Sequence, residues 1–217
     1  MHTILNRMRR PWPIWKPVPA EGRKRPDRRR GLANRGWIAL GWAVLLLWGF
    51  QPLAATEPVL PAAGGTLPKL SLETPADEPD KKYLGVGKGG RFSLQQVDGH
   101  LLLVEIVGVY CPQCHKQAPG FNRLFQRIQR DPRLKAKVKF LAVAAGGTAT
   151  EIAYLRREYS IPFPVISDAR FEIHKQLGEP RTPFTMLLDR NRKVAFAHVG
   201  IIEDLDAFFQ KISGLVP

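Results

Sequence analysis

The stretch Leu101-Leu-Leu-Val-Glu-Ile-Val107-Gly-Val-Tyr110-Cys111-Pro-Gln-Cys114 governs the reading of the whole chain. Its first seven residues form an apolar run interrupted by one acid, Glu105, and such a run suits a strand buried on both faces of a sheet. Helical spacing takes over immediately afterwards, with Phe121, Leu124, Phe125 and Ile128 recurring every three or four residues. Both cysteines of the chain fall at this junction. A thiolate at a helix N-terminus is stabilised by unpaired backbone N–H groups and the local dipole, which can lower a Cys pKa from about 8.5 into the range of roughly 3.5 to 7.5. Cys111 occupies that position. Cys114 follows about one helical turn later, where it can attack a mixed disulfide at Cys111 and close an internal disulfide. Pro112 suits the first turn, which needs no N–H from that residue. The spacing therefore predicts a two-electron switch with Cys111 as the exposed nucleophile and Cys114 as the buried resolving thiol.

Beyond this junction the chain alternates strands and helices. Val138 to Ala144 reads as a second central strand, Glu151 to Tyr159 as a helix, and Phe163 to Ile166 as a short strand. Phe184 to Leu188 and Lys193 to Val199 read as a hairpin joined by Asp189-Arg-Asn-Arg192. Leu205, Phe208, Phe209 and Ile212 form a closing helix, and Glu203 and Asp204 suit its positive end. The order is βαβ, a helix-bearing connection, then ββα. Gly85-Val-Gly87-Lys-Gly-Gly90 lacks the spacing and helix of a phosphate loop, so it reads as a turn before Phe92 and no nucleotide cofactor is expected. Glu105 is an acid in an apolar strand. An unpaired carboxyl there tends to take up a proton, so its pKa is expected to be raised.

Composition narrows the function classes. With 217 residues, 44% hydrophobic and 24% charged, the chain is globular, which excludes collagen-like and wholly disordered readings. Two cysteines exclude a disulfide-stapled scaffold and a four-thiolate zinc site. The net charge of +14 is uneven. Residues 1–36 hold 11 Lys/Arg against two acids, Glu21 and Asp27, whereas residues 37–217 hold 22 against 17. Most of the excess therefore belongs to a basic tail, and no nucleic-acid partner is expected.

After the tail, Trp37 to Phe50 carries no charge over 14 residues and extends through Ala55 to 19. At that length it approaches the ~30 Å of a bilayer core. It reads as a signal anchor, or as a cleaved signal peptide processed near Ala54-Ala55. Arg28-Arg29-Arg30 would hold the tail on the cytoplasmic side, so either reading places the rest of the chain outside the cytoplasm. The domain boundaries expected are a cytoplasmic tail at 1–36, the apolar segment at 37–55, a linker at 56–66 and one α/β domain at 67–217.

Glu105, Tyr110, the Cys111-Pro-Gln-Cys114 motif, Pro119 and Thr182-Pro183-Phe-Thr-Met-Leu-Leu-Asp189 together resemble the thioredoxin superfamily, in particular its TlpA/ResA-like exported or membrane-tethered branch. The resemblance covers roughly Leu67 to Ile212. It implies a thioredoxin-like fold, with a central mixed sheet flanked by helices and an N-terminal extension. It further implies a redox-active disulfide between Cys111 and Cys114, and a cis Pro183 facing them. Substrate would bind at Thr182, Pro183 and Tyr110, with Glu105 accepting a proton from Cys114. The implied function is an extracytoplasmic thiol-disulfide oxidoreductase, acting as a reductase of exported protein substrates without a cofactor and re-reduced by a membrane electron donor. Three departures are visible: Tyr110 where many members carry Trp, Pro-Gln between the cysteines, and Glu105 where thioredoxin has Asp. Three alternatives remain open at this point. Thr182 resembles the residue found in some disulfide isomerases, which leaves an oxidase or isomerase. A copper carrier would use the two thiols with His115, His174 or His198. Peroxidase chemistry would ordinarily need Thr where Gly108 stands.

Overall fold

A computed structural model of the protein describes residues 59–217. The tail, the apolar segment and the first residues of the linker lie outside the described residues. In chain order the elements are β1 (Ser71–Glu73), α1 (Glu78–Leu84), β2 (Arg91–Ser93), β3 (Leu101–Gly108), α2 (Pro112–Arg130), β4 (Val138–Ala145), α3 (Ala149–Glu158), β5 (Val165–Asp168), α4 (Glu172–Gln176), β6 (Phe184–Leu188), β7 (Val194–Val199) and α5 (Leu205–Leu215), with a 3₁₀ turn at Leu94–Gln96.

Five strands form one sheet in the order β5-β4-β3-β6-β7. β3 lies in the middle, which is why its sequence is a continuous apolar run instead of an alternating one. It pairs parallel with β4 and antiparallel with β6; β5 adds parallel to β4, and β7 antiparallel to β6. The sheet is therefore mixed. Its three parallel strands end on the same side, and Gly108 hands over to α2 at that edge.

Each face of the sheet carries its own core. Leu103 and Val107 of β3 pack with Phe121 and Leu124 of α2, Leu155 of α3 and Ile212 of α5. Leu102, Val104 and Ile106 face the opposite way and pack with Leu72, Leu84, Phe92 and Ile173. The N-terminal extension thus serves as a lid of secondary structure on the second face. Its strands β1 and β2 pair antiparallel through Leu72 and Phe92. α1 ends at Gly85, whose φ of 71° is the left-handed conformation that favours glycine.

Local chemistry accounts for the elements that differ from the sequence expectations. The short strand expected at Phe163–Ile166 begins instead at Val165, because Pro164 has no N–H to give the ladder; its carbonyl still accepts from Ala142 N at 2.9 Å. The helix expected from Glu151 starts at Ala149. Thr148 and Glu151 form a reciprocal capping box, which fixes the start two residues earlier. α4 is too short for a periodic signal and is held by Asp168, whose carboxylate accepts from the N–H groups of Ile173 and His174. The end of the expected linker is paired: Gly64 N donates to Val194 O, Val194 N donates to Gly65 O, and Thr66 bridges Lys193. Among the described residues no helix is long and apolar enough to cross a membrane.

Arg192 fastens the extension to the hairpin. Buried and at φ 62°, it donates to Leu94 O at 2.8 Å, to Asp189 O at 3.1 Å and to Val97 O. Removing a charged donor from buried carbonyls leaves them unsatisfied, so Arg192→Met is expected to lower the unfolding free energy by about 2–4 kcal/mol. Urea unfolding of the two proteins measures this directly, and an unchanged midpoint would mean that those carbonyls find other partners.

Candidate active site

The site is built where β3 stops. Gly108 O accepts from Cys111 N at 3.1 Å, which turns the chain into α2 with Cys111 as its N-cap. Cys111 Sγ accepts from Cys114 N at 3.2 Å and donates to Thr182 O at 3.4 Å. The Thr182–Pro183 peptide bond is cis. Gly108 allows this assembly to close up: a Cβ on it would lie 3.2 Å from Cys111 Cβ and 3.3 Å from Thr182 Oγ1. Both cysteines are free thiols, Cys111 partly exposed and Cys114 buried.

The two thiols are displaced in opposite directions. Partial burial alone would raise the Cys111 pKa. The hydrogen bonds from the Cys114 and Thr182 side chains and from the backbone N–H groups of Cys114 and Gln113 outweigh that, and the net shift is downward. Cys114 is pushed up, first by burial and then by its hydrogen bond with Cys111. The arrangement favours ionisation of Cys111 over Cys114 and requires a proton acceptor before Cys114 can attack.

Glu105 is the acid nearest in role. It is 4% exposed, on the middle strand, with its side chain on the α2 face between Leu103 and Val107. Burial raises its carboxyl from 4.5 to about 7, against a hydrogen bond from Gln117 that pulls it down. Glu105, Cys114, His115, Tyr159 and Phe163 are among the residues lining a cavity of about 20 Å³, room for one water. The carboxyl reaches no sheet edge and no lysine. Its partner is Gln117 Nε2 at 2.6 Å.

Tyr110 stands beside Cys111 and is 77% exposed, the largest open apolar surface at the site. It is tethered all the same: its hydroxyl donates to Glu151 Oε1 at 2.7 Å. The backbone N–H of Thr148, followed by the Thr148 hydroxyl and Tyr110, holds the Glu151 carboxyl down at about 2, so this latch stays charged. The imidazoles considered for a metal are all engaged. His115 Nε2 contacts Val109 O at 2.7 Å, His174 Nε2 contacts Pro180 O at 3.0 Å and His198 Nε2 contacts Ile201 O at 3.0 Å. Among the described residues no three His, Cys, Asp or Glu side chains converge as a metal site.

Cys111, Cys114, Thr182 and Pro183 thus meet at one point, with Tyr110 on the rim and Glu105 beneath. Three contributors escaped the sequence reading: Gly108 as a spacer, Glu151 as the Tyr110 latch, and Gln117. The last had a signal. Cys114, Gln117, Phe121, Leu124 and Ile128 form the buried stripe of α2, and a Gln on such a stripe needs a buried partner.

Two measurements check this geometry. Limiting alkylating agent at mildly acidic pH is expected to modify Cys111 first, located by peptide mapping; earlier labelling of Cys114 would reverse the assignment. For Glu105, the folded pKa lies above the unfolded one, so its contribution to stability is fully present below pH 4.5 and declines as the pH rises through about 7. The stability of the protein relative to Glu105→Gln is therefore expected to fall by about 3 kcal/mol between pH 4.5 and 7 and to level off above. A flat difference across that window would mean the carboxyl is not perturbed.

The model of the AhpC/TSA family matches residues 66–197. Proteins of similar sequence include the thiol-disulfide oxidoreductase ResA of one Bacillus cereus strain, 26% identical over 62% of this chain and 82% of that protein. ResA of Bacillus thuringiensis subsp. konkukian is 28% identical, over 58% and 71%. Among solved structures, the thioredoxin domain of a thiol-disulfide oxidoreductase from Bacteroides vulgatus superposes with a TM-score of 0.54 at 14% identity, covering 72% of this chain and 99% of that one. A thiol:disulfide interchange protein from Bacteroides sp. gives 0.54 at 15% identity, covering 72% and 91%. These likenesses show a thioredoxin-like fold, and the family match covers both cysteines, Pro183 and the sheet up to residue 197 in β7: the chain belongs to the AhpC/TSA family.

Proposed function

We propose that this thiol-disulfide oxidoreductase works outside the cytoplasm, reducing disulfides of exported proteins through the Cys111/Cys114 dithiol. In the first step the Cys111 thiolate attacks a substrate disulfide, forming a mixed disulfide and releasing one substrate thiolate. Glu105 then takes the Cys114 proton, directly or through one water in the cavity. The Cys114 thiolate attacks Cys111 Sγ, the Cys111–Cys114 disulfide forms, and the second substrate thiolate leaves. The substrate gains two electrons and the dithiol loses two. Thr182 and Pro183 form the edge on which an extended substrate segment lies, with Tyr110 as its apolar wall.

The observation that carries this reading is the asymmetry of the pair: one thiol capped by a backbone N–H and open to solvent, the other buried against an acid. The reducing direction rests on the likeness to ResA-type proteins, and the location rests on the apolar segment 37–55 with its arginine flank, which would tether or export the domain. A membrane electron donor would restore the dithiol, since an oxidising compartment does not.

Direction is tested by the reduction potential. Equilibration with a glutathione or dithiothreitol couple is expected to give a value near −270 mV, as for a reductase; a value near −120 mV would make it an oxidant. Cys114→Ser is expected to accumulate mixed disulfides with its exported partners, identified by mass spectrometry after acid trapping. A variant that releases its partners as fast as the unaltered protein would remove Cys114 from the resolving role.

A further inference from the structure

Several buried polar side chains stand outside the mechanism, and one of them, Gln117, is bonded to the acid that the mechanism uses. Gln117 is 3% exposed, sits one turn beyond Cys114 on α2, and holds both ends of its amide in hydrogen bonds. Ile202 N donates to Gln117 Oε1 at 2.8 Å, and Gln117 Nε2 donates to Glu105 Oε1 at 2.6 Å. The first bond fixes the second. A backbone N–H can only donate, so the atom facing Ile202 must be the carbonyl oxygen, and the amide nitrogen must face Glu105.

The geometry points to Gln117 as the positioning residue that makes Glu105 a proton acceptor for Cys114. The inference rests on the role proposed for Glu105. Two consequences follow from the fixed amide. A donor aimed at Oε1 stabilises the ionised carboxylate, opposing the burial that favours the neutral acid. It also favours Oε2 as the oxygen that takes the proton, since protonating Oε1 would weaken it as an acceptor for Gln117. Without Gln117, a larger share of Glu105 would be protonated at neutral pH and fewer molecules could accept the Cys114 proton.

The other groups around the carboxyl do not replace this donor. Cys114, His115 and Tyr159 are the titratable groups that share its cavity. His115 Nε2 is committed to Val109 O and its ring stacks on Tyr159 at 4.5 Å. Across the sheet, Thr185 of β6 is the register partner of Glu105, and its buried hydroxyl makes no hydrogen bond. Ile202 lies two residues after Gly200, whose N–H donates to Pro183 O at 2.8 Å. Gln117 therefore ties the acid to the same loop that supports the proline of the substrate edge.

The test uses the full chain, kept in mild detergent, and three proteins: unaltered, Gln117→Met and Glu105→Gln. Met keeps the length of the side chain and removes the donor. The midpoint of Glu105 protonation, read from its carboxyl carbon by NMR, is expected to move up by about one pH unit or more in Gln117→Met. Resolution of a preformed Cys111 mixed disulfide, followed by stopped flow, should slow about tenfold at pH 7 and recover at higher pH. Initial attack by Cys111 should be unaffected. In the unaltered protein, which involves no question of folding, the Gln117 side-chain amide resonances should shift with the Glu105 midpoint. A Gln117 amide that ignores that midpoint, or a Gln117→Met profile that superposes on the unaltered one, overturns the inference. If Glu105→Gln alone leaves resolution unchanged, the role of Glu105 falls, and the midpoint shift still decides whether Gln117 sets its protonation.

Discussion

An ionisable carboxyl in the centre of an apolar sheet must either lose its charge or be given partners, and the arrangement around Glu105 reflects that constraint. β3 is buried on both faces and lies in the middle of the sheet, so Glu105 is removed from bulk solvent and from the sheet edges. The compromise is partial. Burial raises the pKa to about 7, and one donor from α2 keeps it from rising further. A group poised there can change protonation within the pH range in which thiol exchange runs. The apolar packing that stabilises the domain is thus the same packing that tunes its acid.

The thiols depend on the same strand. β3 aims its end at α2, and the tight turn at Gly108 delivers Cys111 to the helix N-terminus instead of one residue before or after it. Cys114 then falls on the buried stripe of α2, one turn in, on the face that meets Glu105. The difference between the two cysteines is mainly one of position on a helix, and Thr182 adds to it by hydrogen bonding at Cys111. β6 brings Thr182 and Pro183 against the first thiol because it pairs antiparallel with β3, so its beginning lies beside the end of β3. Three separated stretches of sequence meet through one strand.

Much of this was legible in the sequence, for a physical reason: long periodic segments and the dithiol at a strand-to-helix junction report local chemistry. The run from Leu101 to Val107, the stripe of α2 and the closing helix were all readable on those grounds. The extension was not. β1 and β2 have three residues each and gain stability only from lying on the sheet, so their local signal is weak. The start of α3 is set by a capping box that precedes its apolar period, and that of β5 by Pro164, which has no N–H to give the ladder. At the site, Glu105 announced itself as an acid among apolar residues. Gln117 did not, because a Gln on a helix is usually solvated, and only the buried stripe of α2 marks it as exceptional.

The central claim is that Cys111 and Cys114 form a two-electron couple closed within one chain. Oxidation by glutathione disulfide, followed by intact-mass and peptide analysis, tests this most directly. The account predicts a monomer lighter by two hydrogens, a single Cys111–Cys114 cross-link and two glutathiones released per chain. A stable glutathione adduct on Cys111, or a cross-link between two chains with Cys114 still reduced, would contradict it.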